Sequence, residues 1–113
     1  MPYIEIKTNT KIKESVKTDL KAKLGEYITT FPGKSETWLM ISFIDGIDMA
    51  FSGTSEPCAM VEVKLFGKAD RDTCANFASK VSSVIAGALG VLQTRLYLKF
   101  EGCETWSFFG QLF

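Results

Sequence analysis

The strongest constraint on the fold is a pattern that occurs twice along the chain. In each half, a strand-length segment is followed by an amphipathic helix and then by another strand; the halves span about residues 1–56 and 57–113. Because βαβ connections turn in one sense, two such units combine into one sheet with both helices on one face. We therefore predict a single domain over residues 1–113, of the α/β (α+β) class, with a four-stranded mixed sheet.

The helices are predicted from apolar side chains that recur every three or four residues. The first helix covers about residues 13–31 and ends at Pro32-Gly33; its apolar stripe is Val16, Leu20, Leu24, Tyr27, Ile28 and Phe31. Asp70 and Asp72 suit the start of the second helix, and Gly90 ends it. The stripe of that helix is Cys74, Phe77, Ala78, Val81, Val84, Ile85, Ala88 and Leu89. Before the first helix, Thr8-Asn9-Thr10 offers turn and capping chemistry.

The strands are predicted from alternation and from apolar runs. Residues 3–7, 59–66 and 96–100 alternate, with Ile4 and Ile6 on the inner face of the first strand. Residues 37–44 are almost continuously apolar, as is typical of a strand covered on both faces, and residues 49–51 predict a short extension. The sheet face away from the helices is expected to carry Tyr3, Glu5, Lys7, Glu62, Lys64, Tyr97 and Lys99. This face is too polar for a dry core, so it meets either bulk water or a wet centre between subunits.

The C-terminal segment, residues 105–113, contains four aromatic residues in nine. No further element follows that would cover them, so we expect contact with a neighbouring chain. The alternative is that the segment folds back on its own core.

Composition excludes several classes of function. Thirteen basic residues balance thirteen acidic ones, and no basic run exists, so nucleic-acid binding is not expected. There is no apolar run of membrane-spanning length and no signal-peptide pattern, which indicates a soluble cytoplasmic protein without a membrane partner. Three widely spaced cysteines form neither a disulfide framework nor a metal motif; we expect reduced, packed thiols at Cys58, Cys74 and Cys103.

The start of the chain contains the candidate catalytic group. Cotranslational processing removes an initiator Met that precedes a small residue, so Pro2 is expected to become a free secondary amine. The chain has no histidine, and an α-amino group, with a reference pKa of about 7.7–8.0, is then the natural base near neutral pH. The alternative is that proline at position two merely permits removal of Met1. If Met1 stays attached, the Pro2 nitrogen is an amide without basicity.

Three segments taken together resemble a known family. Met1-Pro2 at the start, Pro32-Gly33-Lys34 after the first helix and residues 49–59, Met-Ala-Phe-Ser-Gly-Thr-Ser-Glu-Pro-Cys-Ala, are similar in order and spacing to the macrophage migration inhibitory factor family of the tautomerase superfamily. The resemblance covers essentially the whole chain, including Phe66-Gly67-Lys68. It implies a homotrimer in which three sheets surround a solvent channel, with active sites at the subunit boundaries.

The resemblance also implies roles for individual residues. The N-terminal proline is the family's catalytic base, here Pro2. Lys34 matches a pocket lysine that would lower the pKa of the Pro2 amine and bind a substrate carboxylate; the alternative is a solvated cation at a helix C-terminus. Phe66 matches an isoleucine position whose backbone contacts the ligand, and its larger ring would alter the pocket.

Four further positions complete the implied site. Tyr97 matches a tyrosine that a neighbouring subunit contributes, which would stack on an aromatic substrate; packing on the sheet is the alternative. Trp38 and Trp106 would form apolar walls, or else belong to the core or to a subunit contact. Lys99 stands where animal members have Asn, which adds a cation and favours a more acidic substrate.

The function implied by the resemblance is cofactor-free keto–enol tautomerisation of phenylpyruvate-type 2-keto acids, without a metal. The alternative is a cytokine-like binding protein, exported without a signal peptide to act on a receptor, whose tautomerase activity is vestigial. Receptor binding that survives substitution of Pro2 would separate the two. Two departures from the family are a shorter C-terminal region and the absence of a second cysteine after Cys58, so thiol–disulfide oxidoreductase activity is not expected.

Overall fold

The computed structural model describes all residues, 1–113. A four-stranded sheet has the order β2-β1-β3-β4, and a separate hairpin, β5–β6, ends the chain. The strand β1 pairs parallel with β2 and antiparallel with β3, and β3 pairs parallel with β4. The predicted mixed sheet with two helices is therefore confirmed. The elements in chain order are β1 (Pro2–Thr8), α1 (Glu14–Tyr27), β2 (Met40–Ile44), β3 (Ala59–Phe66), α2 (Arg71–Leu89), β4 (Leu96–Cys103), β5 (Ser107–Phe108) and β6 (Gln111–Leu112).

The core lies between the two helices and one face of the sheet. Alternate residues of β1 and β3 are buried, as the sequence alternation predicts. The core cluster takes Ile4 and Ile6 from β1, Leu20 and Leu24 from α1, and Phe77 from α2, with other apolar residues of the same elements. Both helices thus cover the same face, which leaves the other face of the sheet open.

The ends of α2 lie where the sequence predicts them, whereas α1 ends earlier than predicted and lacks the predicted cap. Asp70 caps α2 by accepting a hydrogen bond from the Thr73 backbone N–H at 3.0 Å, and Gly90 ends it with φ 69°. The helix α1 is shorter than predicted, because a 3₁₀ turn, Ile28–Thr30, replaces its last part. No side chain caps α1; the predicted capping role of residues 8–10 is wrong, and Asn9 instead bonds to the loop before β3.

The prediction of a doubly covered strand at residues 37–44 is wrong. A 3₁₀ turn, Glu36–Trp38, takes its first part, and β2 is an edge strand of only five residues. Its inner face, Ile41 and Phe43, packs against the core cluster, whereas Met40 on the outer face is 67% exposed. The predicted extension at residues 49–51 is not a strand, since Phe51 forms only an isolated bridge with Thr54.

The open sheet face carries the polar residues that the sequence placed there. Ion pairs join neighbours on it, with Lys7 and Glu5 at 3.4 Å and Lys99 between Glu62 at 3.7 Å and Glu101 at 2.7 Å. The charges of this face are therefore largely paired within the chain.

The three cysteines are all free thiols. Cys58 and Cys74 are buried as predicted, and burial raises the pKa of the Cys74 thiol. Cys103 differs, because it lies only half-buried at the end of β4, where its sulfur is 3.1 Å from the Thr105 carbonyl oxygen. Neither helix of the structure has the length and apolar content that crossing a membrane requires.

Candidate active site

The N-terminal end of β1 lies inside the molecule rather than in solvent. Pro2 is buried and pairs with Leu65 of β3, and β1 lies between β2 and β3 in the sheet. The residue before it, Met1, is half-buried, and its carbonyl oxygen accepts a hydrogen bond from the Phe66 backbone N–H at 3.0 Å. With Met1 attached, the Pro2 nitrogen is an amide, and the only amine at this end is that of Met1.

A loop after α1 brings Lys34 to the same place. The chain leaves the 3₁₀ turn at Phe31, and Gly33 adopts a φ of 76°, which a residue without a side chain tolerates. The Lys34 ammonium then donates a hydrogen bond to the Phe66 carbonyl oxygen at 3.0 Å and lies 5.8 Å from the centroid of the Phe66 ring. Thus Lys34, Phe66 and the N-terminus, predicted from separate parts of the sequence, meet in one pocket.

The electrostatics of this pocket act on the terminal amine. The pKa of the Met1 amine is lowered from 8.0 to about 6, mainly by burial and then by the charge of Lys34 and a hydrogen bond with its ammonium. Both causes oppose the protonated form, since burial removes its hydration and a second cation repels it. An amine held at this position is therefore largely neutral at pH 7, and a neutral amine is a proton acceptor.

Aromatic side chains enclose the terminus, and one of them, Trp38, is carried by a turn that packs against α1. Gly25 of α1 lacks a side chain where the Glu36 side chain packs, and a methyl group there would approach Glu36 to 2.6 Å. This packing holds the turn that carries Trp38. A cleft of about 570 Å³ runs along the terminus, lined by Met1, Pro2, Tyr3, Thr37, Trp38, Leu39, Met40, Trp106, Ser107 and Phe108. The predicted walls Trp38 and Trp106 both line it.

A smaller pocket of about 240 Å³ adjoins the cleft at Met1 and Trp38 and contains Gly33, Lys34, Phe66 and Phe113 as well. The two spaces differ in character. The smaller one has the only charged side chain among these lining residues, that of Lys34, whereas the larger one is mostly apolar. Together they suit a small molecule with an anionic end and an apolar body.

The sequence analysis missed the C-terminal hairpin as part of the site. The strands β5 and β6 pair through a tight turn in which Phe109 and Gly110 both have positive φ, 54° and 75°. Phe108 then meets Trp38 edge-on at 5.1 Å, and Phe113 lies 6.0 Å from the Phe66 ring. The hairpin folds back over the N-terminal pocket of its own chain and stays exposed rather than entering the core. Contact of this segment with a neighbouring chain stays a prediction. The Gly at the turn was its only local indication.

Two predicted site residues lie elsewhere in the chain. Tyr97 lies in the same row of the sheet as Met60 and Lys7. Lys7 is five residues along β1 from Pro2, so Tyr97 lies about 17 Å from Pro2 along the strand direction, and two strands across the sheet. Tyr97 is 60% exposed. Lys99 lies two residues closer, but its hydrogen bond and ion pair with Glu101 raise its pKa and partner its charge. One chain therefore does not bring either residue to its own N-terminus.

The residues at the pocket define what chemistry it supports. A neutral amine provides a base, and the Lys34 ammonium provides a donor for an anionic oxygen. The Phe66 backbone N–H is a second donor, which the Met1 carbonyl oxygen occupies in the structure. No group of three or more His, Cys, Asp or Glu side chains in the chain is arranged to hold a metal ion. This set of groups fits a proton transfer in a substrate, at an atom next to a carboxylate or an enolate.

Comparisons with known sequences find relatives over most of the chain. The family model described as Macrophage migration inhibitory factor (MIF) matches residues 1–111. The chain is 28% identical over 109 residues to D-dopachrome decarboxylase-B of Xenopus laevis, covering 94% of this chain and 90% of that protein. It is 29% identical over 104 residues to the macrophage migration inhibitory factor homolog of Brugia malayi, covering 92% and 90%.

Solved structures of similar shape lead to the same group. The macrophage migration inhibitory factor homologue from Prochlorococcus marinus is 31% identical, with a TM-score of 0.80 and 98% of each chain covered. MIF2 of Leishmania major has a TM-score of 0.92 at 21% identity, covering 100% of this chain and 97% of that one. The second likeness shows the shared fold.

Proposed function

The chain belongs to the macrophage migration inhibitory factor family of the tautomerase superfamily, and we propose that it interconverts the keto and enol forms of phenylpyruvate-type 2-keto acids. The base is the secondary amine of Pro2 after removal of Met1. Family membership supports tautomerase-type chemistry in general. The observation that supports this specific reaction is the convergence of the buried N-terminus, Lys34 and the backbone of Phe66 in one pocket.

Removal of Met1 has two consequences in this proposal. It converts the Pro2 nitrogen from an amide into an amine at a buried position. It also releases the Phe66 backbone N–H, which in the structure donates to the Met1 carbonyl oxygen. Because Lys34 already lowers the pKa of the Met1 amine, the same cation and the same burial are expected to keep the Pro2 amine neutral near pH 7.

The proposed reaction is a pair of proton transfers. The neutral Pro2 nitrogen takes a proton from the carbon next to the substrate ketone, and the electron pair of the broken C–H bond forms the C=C bond of an enolate. The Pro2 ammonium then returns the proton to the enolate oxygen, which yields the enol and the free amine. Lys34 binds the substrate carboxylate, and the Phe66 N–H donates to an anionic oxygen. Proton transfer alone requires no electron-carrying cofactor.

In this proposal, Trp38 and Trp106 determine which kind of substrate fits. Trp38 and Trp106 line the apolar cleft next to the cationic pocket, so the substrate has a carboxylate at one end and an aromatic ring at the other. Tyr97 and Lys99 lie too far from Pro2 to act within one chain. They join the site only in a homotrimer, in which a neighbouring subunit supplies them.

The test is a phenylpyruvate tautomerase assay on protein whose N-terminus has been verified by intact mass. The protein is made with a removable leader and is assayed before and after the leader is cleaved to expose Pro2. We expect activity only after cleavage. Pro2→Gly, which leaves a primary amine in the same place, is expected to lose most of the rate.

The matched control is the protein before cleavage. From Pro2 onward its sequence is the same as that of the cleaved protein, but its Pro2 nitrogen is acylated by the leader. Equal rates before and after cleavage would refute the role of Pro2. Size measurement in solution tests the trimer separately; a monomer would refute the part of the proposal that involves Tyr97 and Lys99.

A further inference from the structure

Arg95 has an unusual set of partners for an arginine. Its guanidinium donates four hydrogen bonds, all to backbone carbonyl oxygens of one loop: Pro57 at 3.0 Å, Phe51 at 3.0 Å, Thr54 at 3.3 Å and Glu56 at 3.0 Å. Arg95 itself ends the 3₁₀ turn directly before β4. One side chain therefore ties the whole loop 51–57 to the start of the strand that contains Tyr97.

Asn9, directly after β1, holds the far end of the same loop. The Asn9 amide donates to the Ser55 and Glu56 carbonyl oxygens at 3.0 and 3.1 Å and accepts from the Cys58 N–H at 3.0 Å. The loop carbonyls are thus bonded by two side chains, one just after β1 and one just before β4. A loop bonded in this way has little freedom to rearrange.

The first residue of the loop, Phe51, contacts Tyr97 through its ring. The Arg95 guanidinium carbon lies 5.3 Å from the centroid of the Phe51 ring, within the range of a cation–π contact. The Phe51 ring in turn meets the Tyr97 ring edge-on at 5.1 Å and 63°. Tyr97 itself lies on an edge strand and is 60% exposed, and the contact with Phe51 restricts the directions in which its ring points.

We propose that Arg95 is a positioning residue for the active site, which fixes loop 51–57 so that Phe51 holds the Tyr97 ring ready for an aromatic substrate. This rests on the proposed function, in which Tyr97 of one subunit lines the site of its neighbour. A ring that is already held loses less conformational freedom when the substrate binds. Arg95 therefore contributes to substrate affinity and not to the proton transfer at Pro2.

The expected signature is a change in KM without a matching change in kcat. Arg95→Met removes the four hydrogen bonds and the cation, and Phe51→Leu removes the ring contact while leaving Arg95 in place. Each is expected to raise KM for phenylpyruvate about 2- to 10-fold, the range of an aromatic pair contact, while kcat stays near wild type. Arg95→Lys keeps the charge and part of the hydrogen bonding, so its KM is expected to lie between those of wild type and Arg95→Met. Arg71→Met is the matched control, since Arg71 is the only other arginine and is exposed at the start of α2.

The decisive comparison is a double-mutant cycle with Tyr97→Leu. If Arg95 acts through the Tyr97 ring, Arg95→Met raises KM in the wild-type background and has no further effect in the Tyr97→Leu background. An equal rise in both backgrounds, or an unchanged KM in folded Arg95→Met, overturns the proposal. Should Arg95→Met fail to fold by circular dichroism, Phe51→Leu and Arg95→Lys decide the question, and an unchanged KM in both overturns it. Absence of activity in the wild-type protein would instead refute the proposed function.

Discussion

Replacing Lys34 should move the pH dependence of the reaction in a defined direction. The Met1 amine of the structure has its pKa lowered from 8.0 to about 6, first by burial and then by the charge and hydrogen bond of Lys34. In the proposed function the Pro2 amine replaces it after Met1 is removed, and we expect the same causes to act on that amine. Lys34→Met removes the second and third causes and leaves the first. The acidic limb of kcat/KM against pH, which reports the free amine, should therefore shift to a pH above that of wild type and below 8.

The size of the effect follows from the fraction of neutral amine. A base acts only when unprotonated, so the rate falls as the pH drops through the pKa. At pH 6 an amine with a pKa of 6 is about half neutral, and one with a pKa of 8 is about 1% neutral. Complete loss of the shift would thus cost about 50-fold at pH 6 and about 10-fold at pH 7, and Lys34→Met should cost less than this through the amine.

The assay is a full pH profile on protein with Pro2 exposed. The position of the acidic limb separates the effect on the amine from lost binding of the substrate carboxylate, because weaker binding lowers the whole profile without moving the limb. Lys34→Arg keeps the charge and should leave the limb in place, and Lys23→Met, an exposed lysine of α1, is the control. An unchanged limb in Lys34→Met, or a wild-type limb near 8, would refute the reasoning.

Three stability predictions follow from packing, each measured by urea unfolding. Phe77→Ala empties the centre of the core, where Phe77 is 1% exposed, and should cost about 3–5 kcal/mol; a loss below 1 kcal/mol, on the order of a surface substitution, would contradict the assigned core. Gly102→Ala should cost about 1–3 kcal/mol, because its methyl group would lie 2.5 Å from the Gly67 carbonyl oxygen. Gly87→Ala meets nothing within 4 Å and sits inside α2, so it should gain about 0.5–1 kcal/mol; a loss there would show that the helix is strained at this point.

Much of the fold could be predicted because its causes are local. The alternation of Ile4 and Ile6 with polar neighbours requires a strand with one covered face, and the three- and four-residue spacing through Leu20 and Leu24 requires a helix. All four of these apolar residues are buried in the structure. Gly90 likewise ends α2 as expected, since a left-handed residue after a helix favours glycine.

The errors have a common cause, which is that exposure depends on neighbours distant in sequence. The apolar run at residues 37–44 was interpreted as a doubly covered strand, but β2 lies at the sheet edge, and nothing in the run itself specifies its place in the strand order. The C-terminal hairpin was missed for a related reason. A two-residue strand pair has almost no periodicity, and it is held by contacts with Trp38 and Phe66, which lie far away along the chain.

The candidate site also has features that the sequence predicts and features that only the tertiary structure shows. The sequence by itself determined both helices and most of the sheet, and it predicted a free amine at Pro2 and the residue types around it. Only the tertiary structure decided that Lys34 reaches the Phe66 carbonyl across 32 residues, that the hairpin packs over the pocket, and that Tyr97 lies at the opposite end of the sheet. Secondary structure arises from patterns within a few residues, whereas strand order and register arise from packing summed over the whole chain. Contacts between distant residues therefore become visible only once the sheet is assembled.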